Sequence, residues 1–178
     1  MVNNELLLKN LRNVPDFPIP GIQFKDVSTL FKNPECLAEI VDGLYERYKD
    51  KGITKVVGLE SRGFVVGAAL AYRLGAGFVM CRKPDKLPAS TYSESFRKEY
   101  GEDRVEIHTD AIDASDTVLI HDDLIATGGS VKAACNLVKQ FCPRKIYVNF
   151  IIELKEEGLQ GMAVLDKDLE ASALITIG

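Results

Sequence analysis

Apolar residues recur along this chain with two different periods. Leu37, Ile40, Val41, Leu44, Tyr45 and Tyr48 follow the three-to-four-residue spacing of a helix buried along one side. Asn33-Pro34 opens that helix with a capping side chain and a proline at its first position, and Gly52 marks the stop. Asn4–Leu11 is a shorter leucine-rich helical pattern. Elsewhere the apolar residues come in short, strongly apolar stretches: Lys55–Gly58, Phe78–Cys81, Val118–Ile120, Ile146–Ile152 and Ala173–Ile177. Such runs suit strands buried on both faces. Val105–His108 predicts one more strand. Helical patterns separate them, at Phe64–Leu74 before Gly75 and at Val131–Val138. Strands alternating with helices predict an α/β fold, a single-domain, doubly wound, mainly parallel sheet flanked by helices.

Two segments break the pattern. Val14–Gly21 reads VPDFPIPG, and its three prolines predict an extended arm without regular structure. Residues 1–32 would then form a small N-terminal hood. Lys83–Asp103 is long, polar and charged. A stretch of that length without structure is commonly a lid, so a flexible lid loop is predicted over 83–103.

At 178 residues the chain suits one domain, 1–178, with 46% hydrophobic and 27% charged residues, as in ordinary globular proteins. The net charge of −4 argues against a nucleic-acid scaffold. Cys36, Cys81, Cys135 and Cys142 form no C-x-x-C pair and lie mainly in apolar segments, which predicts buried free thiols. No run approaches 18 apolar residues, and no basic segment leads into a long apolar one at the N-terminus. The expectation is a reduced, cytoplasmic protein with neither membrane nor nucleic acid as partner.

The chemistry concentrates in Val118–Ser130, VLIHDDLIATGGS. A strand ends in two carboxylates, Asp122 and Asp123, and a short apolar link leads to a Thr-Gly-Gly-Ser turn and a helix. Gly128 and Gly129 let a ligand touch the main chain. Free N–H groups at the helix start, aided by its dipole, attract phosphate. Thr127 and Ser130 add hydroxyl donors. Carboxylates repel phosphate, so their partners are sugar hydroxyls or a divalent cation. The block therefore reads as a sugar-phosphate cradle, with the 5-phosphate in Ala126–Ser130 and ribose over the acids. A P-loop is excluded, because no Gly-Lys-Ser/Thr occurs.

Lys55–Ala69, KVVGLESRGFVVGAA, repeats the scheme of strand, acid, glycine and helix. Both turns belong at the C-terminal edge of a parallel sheet, where ligands bind in such folds. Arg62 supplies a bidentate cation there; the plain alternative, an arginine capping a helix start, runs against the dipole.

The VLIHDDLIATGGS block resembles the phosphoribosyl pyrophosphate (PRPP) motif of the type I phosphoribosyltransferases, in the form used by the adenine branch. GLESRGF is similar to that family's diphosphate loop, which implies that Glu60, Ser61, Arg62 and Gly63 form it around a cis peptide. RKPDKLP resembles a family signature in which Arg82, Lys83 and Lys86 meet diphosphate, some of them across a dimer interface. EYGED is similar to the catalytic flap, which makes Glu99 the acid/base toward a purine ring nitrogen and gives Tyr100 a role in ordering the closed state. FPIPGIQF resembles the adenine-binding hood, with Phe24 walling the base and Lys25 beside it. The chain departs from the family at Gln23, at His121, and at Phe96-Arg97-Lys98, which puts two charges on the flap.

What the resemblance implies is adenine plus PRPP giving AMP plus diphosphate, by a homodimer. Mg²⁺ would be bound through PRPP and waters near Asp122 and Asp123, not by direct protein ligands. In that reaction Glu99, Arg62, Asp122 and Asp123 would carry catalysis. Two other readings stay open: a transferase for another purine base, and a non-catalytic PRPP-binding regulator. The regulator would need a basic nucleic-acid segment that this acidic chain lacks.

Overall fold

Asn33 behaves as its position predicts, its side chain accepting the N–H groups of Glu35 and Cys36 at 3.0 and 3.3 Å and so starting a 15-residue helix. The computed structural model describes residues 2–97, 101–156 and 159–178. In chain order the elements are α1 (Asn4–Asn10), β1 (Arg12–Pro15), β2 (Gln23–Asp26), α2 (Ser28–Phe31), α3 (Pro34–Tyr48), β3 (Lys55–Leu59), α4 (Gly63–Leu74) and β4 (Gly77–Cys81). There follow β5 (Thr91–Arg97), β6 (Glu102–His108), β7 (Thr117–Ile125), α5 (Gly129–Lys139), β8 (Lys145–Leu154), a 3-10 turn (Gly161–Val164) and β9 (Glu170–Ile177).

Five strands make one parallel sheet in the order β4-β3-β7-β8-β9. Each face carries its own core. Val57, Val118, Ile120, Val148 and Phe150 pack with α5, while Val56, Leu119, Tyr147 and Ile151 pack with α3 and α4. Fully burying one such side chain contributes about 1.5–3 kcal/mol. The doubly wound α/β fold is the one the pattern predicts. Among the described residues, no helix is long and apolar enough to cross a membrane.

The alternation of faces reverses partway along the sheet. Asp123, Ile151 and Leu174 lie between paired residues, yet Asp123 has no partner across β7–β8, Ile151 none on either side, and Leu174 none across β8–β9. Below this line Val148 and Phe150 face α5; above it Ile151 and Ile152 both face the α3 side, as do Leu174 and Ile175. In β7 the even residues 118 and 120 face α5, whereas beyond the line Leu124 turns to α3 and Ile125 to α5.

Four expectations need correction. The arm is not without regular structure: β1 and β2 form an antiparallel hairpin with Val14 opposite Phe24 and Pro15 opposite Gln23. Proline is tolerated because Pro15 ends a two-stranded edge, while Pro18 and Pro20 fall in the turn. The stretch 83–103 is not a loop throughout, since β5 and β6 pair antiparallel from Thr91–His108 to Arg97–Glu102. One face of that ribbon rests on α5, through Asn136 Nδ2 donating to Glu94 Oε1 at 3.0 Å, and on the residues just after it, through Tyr92 against Phe141 (ring centroids 5.2 Å apart). The strand of the main motif does not end at the acids. It pairs with β3 only as far as His121 but continues along β8 to Ile125. Cys36, Cys81 and Cys135 are buried free thiols as expected, but Cys142, which follows the end of α5, is exposed.

Candidate functional site

Loops leaving the C-terminal ends of β3, β4 and β7 surround a cleft of about 930 Å³. Its walls include Glu60, Ser61 and Arg62 after β3, Arg82 and Lys83 after β4, Asp122 and Asp123 on β7, and Ala126–Ser130 before α5. Both predicted cradles therefore face one space.

The phosphate turn is shaped by Gly128, whose φ of +82° suits glycine. Among the described residues, the N–H groups of Thr127, Gly128, Gly129 and Ser130 donate to no backbone acceptor. They sit at the positive end of α5, which has no acidic residue in its first turn. The turn is backed from behind. A Cβ on Gly128 would stand 2.6 Å from the Gly161 oxygen and 2.5 Å from Val164, and a Cβ on Gly161 would stand 2.6 Å from the Ala126 oxygen. The 3-10 turn thus presses backbone against backbone. Asp166, just beyond it, binds Lys132 and Lys139 of α5, and the Lys132 contact holds its carboxyl down to about 2.

The acid pair is buried and crowded. Burial pushes the Asp122 carboxyl well above the usual carboxylate range, and the neighbouring Asp123 charge pushes it further. Burial also raises Asp123, opposed by Arg62. The N–H of Asp123 donates to Asp122 Oδ1 at 2.9 Å. Arg62 Nε lies 2.8 Å from Asp123 Oδ2 without aiming a hydrogen bond at it. Gly63 lets α4 start directly against β7, since a Cβ there would lie 2.9 Å from the His121 oxygen and 3.0 Å from Asp122 Oδ1.

Beside this pair the peptide between Glu60 and Ser61 is cis. Glu60 accepts both Nε and Nη2 of Arg82, at 3.1 and 3.2 Å, and the N–H of Lys83 at 3.0 Å. The Arg82 hydrogen bond is the main reason the Glu60 carboxyl sits below its ordinary value. Glu60 is therefore a holder of Arg82. Among the described residues no cluster of three or more His, Cys, Asp or Glu is arranged to hold a metal.

Other predicted residues stand elsewhere. Phe24 lies behind Arg62, with the guanidinium carbon 5.3 Å from its ring centre, and packs edge-on against Phe17 at 5.1 Å. Lys25 Nζ donates to Asn13 Oδ1 within the hood. Lys86 contributes a carbonyl to Arg82 Nη1, and its side chain is not in the cleft wall. Glu99 and Tyr100 lie outside the described residues.

His121 is fully buried, with Nδ1 2.7 Å from Asn149 Oδ1 on the neighbouring strand. Burial drives its pKa down to about 4, so it is neutral at physiological pH. Arg97, Arg104 and Gly161 were not assigned to the site from sequence. Alternation in 91–97 was the available signal, since Tyr92, Glu94 and Phe96 on one face leave Ser93, Ser95 and Arg97 on the other. Gly161 carried no signal, because only the fold brings it behind Gly128.

The profile of the phosphoribosyl transferase domain matches residues 26–159. The chain is 60% identical over 179 residues to an adenine phosphoribosyltransferase of Bacteroides fragilis, covering 99% of both chains. Its structure resembles that of adenine phosphoribosyltransferase from Rhodothermus marinus, with a TM-score of 0.90, 46% identity and 97% of each chain covered. It also resembles the enzyme of the same name from Saccharomyces cerevisiae, complexed with an imino-altritol bisphosphate and adenine, with a TM-score of 0.88, 40% identity and 96% and 97% covered.

Proposed function

The chain belongs to the phosphoribosyl transferase family, in its adenine-using branch, and from that premise we propose how its cleft converts adenine and PRPP to AMP and diphosphate. The observation that carries the proposal is the meeting of two anion cradles with an acid pair between them. Ala126–Ser130 receives the 5-phosphate on unclaimed N–H groups and the Thr127 and Ser130 hydroxyls. Anchoring that remote group fixes the ribose, so binding energy positions the reacting carbon. Asp122 and Asp123 take the ribose hydroxyls.

As the bond from the anomeric carbon to diphosphate breaks, positive charge grows on the sugar and negative charge on the leaving group. Ser61, Arg62, Arg82 and Lys83 line the part of the cleft where the leaving group's charge would develop, with Gly63 opening α4 behind them. The raised acid pair supports the sugar side, because ionised carboxylates there are relieved by developing positive charge. Glu99 accepts the proton that adenine loses, Tyr100 helps to order the closed state, and Phe24 walls the base. Closing of the β5–β6 ribbon would exclude water and limit hydrolysis of PRPP. Lys86 and Lys25 act from the periphery.

Mg²⁺ fits this site as a companion of PRPP. The buried Asp123 Oδ2 receives no hydrogen bond, and two carboxylates suit a hard cation that keeps most of its waters. When bound, the ion neutralises diphosphate charge. A homodimer is supported by an exposed apolar strip, with Val65 and Tyr72 two turns apart on α4 and Met80 on the edge strand β4; Tyr72 is 90% exposed. Cytoplasmic residence is supported by four free thiols, three of them buried.

The decisive experiment compares turnover of adenine, hypoxanthine and guanine with PRPP and Mg²⁺. Adenine should be preferred strongly, because a hydrogen-bonding site rejects a mispaired analogue. Preference for a 6-oxopurine would overturn the base assignment, and PRPP binding without turnover would favour a regulator.

A further inference from the structure

The phosphate turn has a second wall, built by the ribbon. Arg97 is the last residue of β5 and lines the cleft. Its carbonyl oxygen lies 3.6 Å from where a Cβ on Gly129 would stand, and the Phe96 ring lies 3.4 Å from the same point. The end of β5 therefore rests against the first residue of α5.

The charge balance there is unusual. The other arginines of the cleft each have a carboxylate: Arg62 has Asp123, Arg82 has Glu60 and Arg104 has Glu106. Lys132, the cation of the first turn of α5, is held by Asp166. Arg97 is exposed and has no acid partner among the described residues. A cation beside the positive end of a helix is unfavourable on its own. A phosphate dianion between the two reverses the sign of both interactions.

We infer that Arg97 is a second holder of the 5-phosphate, closing on the phosphomonoester from the ribbon side while the turn's N–H groups hold it from the other. The phosphate is then shared between the turn and the end of β5, and so ties the two together beside the reacting carbon. The inference rests on the functional reading above, which puts a 5-phosphate in this turn. The geometry favours the monoester over the diphosphate, because the Arg97 backbone abuts Gly129 of the phosphate turn, whereas the diphosphate loop forms a separate part of the cleft wall at Glu60–Arg62.

The test uses the full-length enzyme with Arg97→Gln and Arg97→Lys. Calorimetry measures binding of ribose 5-phosphate and, separately, of diphosphate; steady-state kinetics give KM for PRPP and for adenine. Loss of a charge-assisted contact should weaken ribose 5-phosphate and raise the PRPP KM about ten-fold in the glutamine variant. Diphosphate affinity and the adenine KM should stay unchanged, and lysine should restore part of the loss. Unaltered ribose 5-phosphate binding, or a loss falling on diphosphate, would overturn the inference. Should the wild-type enzyme turn over no adenine, the functional reading fails, while the ribose 5-phosphate comparison still decides the role of Arg97.

Discussion

Arg62 Nε lies 2.8 Å from Asp123 Oδ2, so the loop after β3 is tied to the acid pair on β7 by a single ion pair. The same guanidinium covers the Phe24 ring. One side chain thus touches the diphosphate loop, the ribose site and the base hood.

Replacing Asp122 and Asp123 together by Asn should lower kcat by about a hundred-fold or more while leaving the fold intact. Burial raises both carboxyls, so the folded state holds protons that the unfolded state releases above pH 3.8. Stability from this pair is therefore present at low pH and declines as pH rises toward the raised pKa values. The uncharged double variant should melt no lower than wild type at pH 7 and should lose that decline. Thermal melts from pH 4 to 8, beside a turnover assay, check both halves.

Phe24→Ala should raise the adenine KM and leave the PRPP KM nearly unchanged, since Phe24 stands outside the phosphate cradles. Equal effects on both substrates would mean that Phe24 acts only by supporting Arg62.

His121 should stay neutral down to about pH 4, held so by burial. Between that value and 6.5 the unfolded chain binds the extra proton, so this group costs stability as pH falls through the interval. Imidazole resonances in an NMR titration would report it. An inflection near 6.5 for His121 would contradict the buried pairing with Asn149.

Gly161→Ala should destabilise the protein by about 1–3 kcal/mol and raise the PRPP KM. Its new methyl would meet the Ala126 oxygen at 2.6 Å and push the phosphate turn forward. A variant with normal melting and normal PRPP KM would show that the 3-10 turn does not brace the cradle.

The central sheet was legible because its strands are strongly apolar, and the cradle because Asp122-Asp123 and Thr127–Ser130 keep chemistry and spacing together within nine residues. Of the ribbon only the second strand was legible, at Val105–His108. Thr91–Arg97 has too few apolar residues to read as a strand, and it is fixed by packing of Tyr92 and Phe96 on α5, which sequence order does not reveal. The hood hairpin was hidden for the opposite reason, as prolines suggested irregularity although they fall at a strand end and in a turn. Asn149 sits within an apolar run and became meaningful only once β7 and β8 set it against His121.

The reversal of faces at Asp123, Ile151 and Leu174 has a consequence for how this chain tolerates change. It acts as a seam that separates two codes written in the same strands. Below it, parity decides which residue meets which helix, and a polar substitution at any inward position is punished by the core. Above it the parity is inverted: Ile152, Leu154 and Ile175 meet the α3 side, while Leu124 and Ile125 at the end of β7 line the cleft. Deleting Ile151 would restore unbroken alternation in β8 and leave Ile152 facing the α3 side, directly after Phe150. Such a deletion would slip β8 by one residue against β7 and β9 above the seam, where β7 carries the cleft, and leave the pairing of Lys145–Phe150 below it standing.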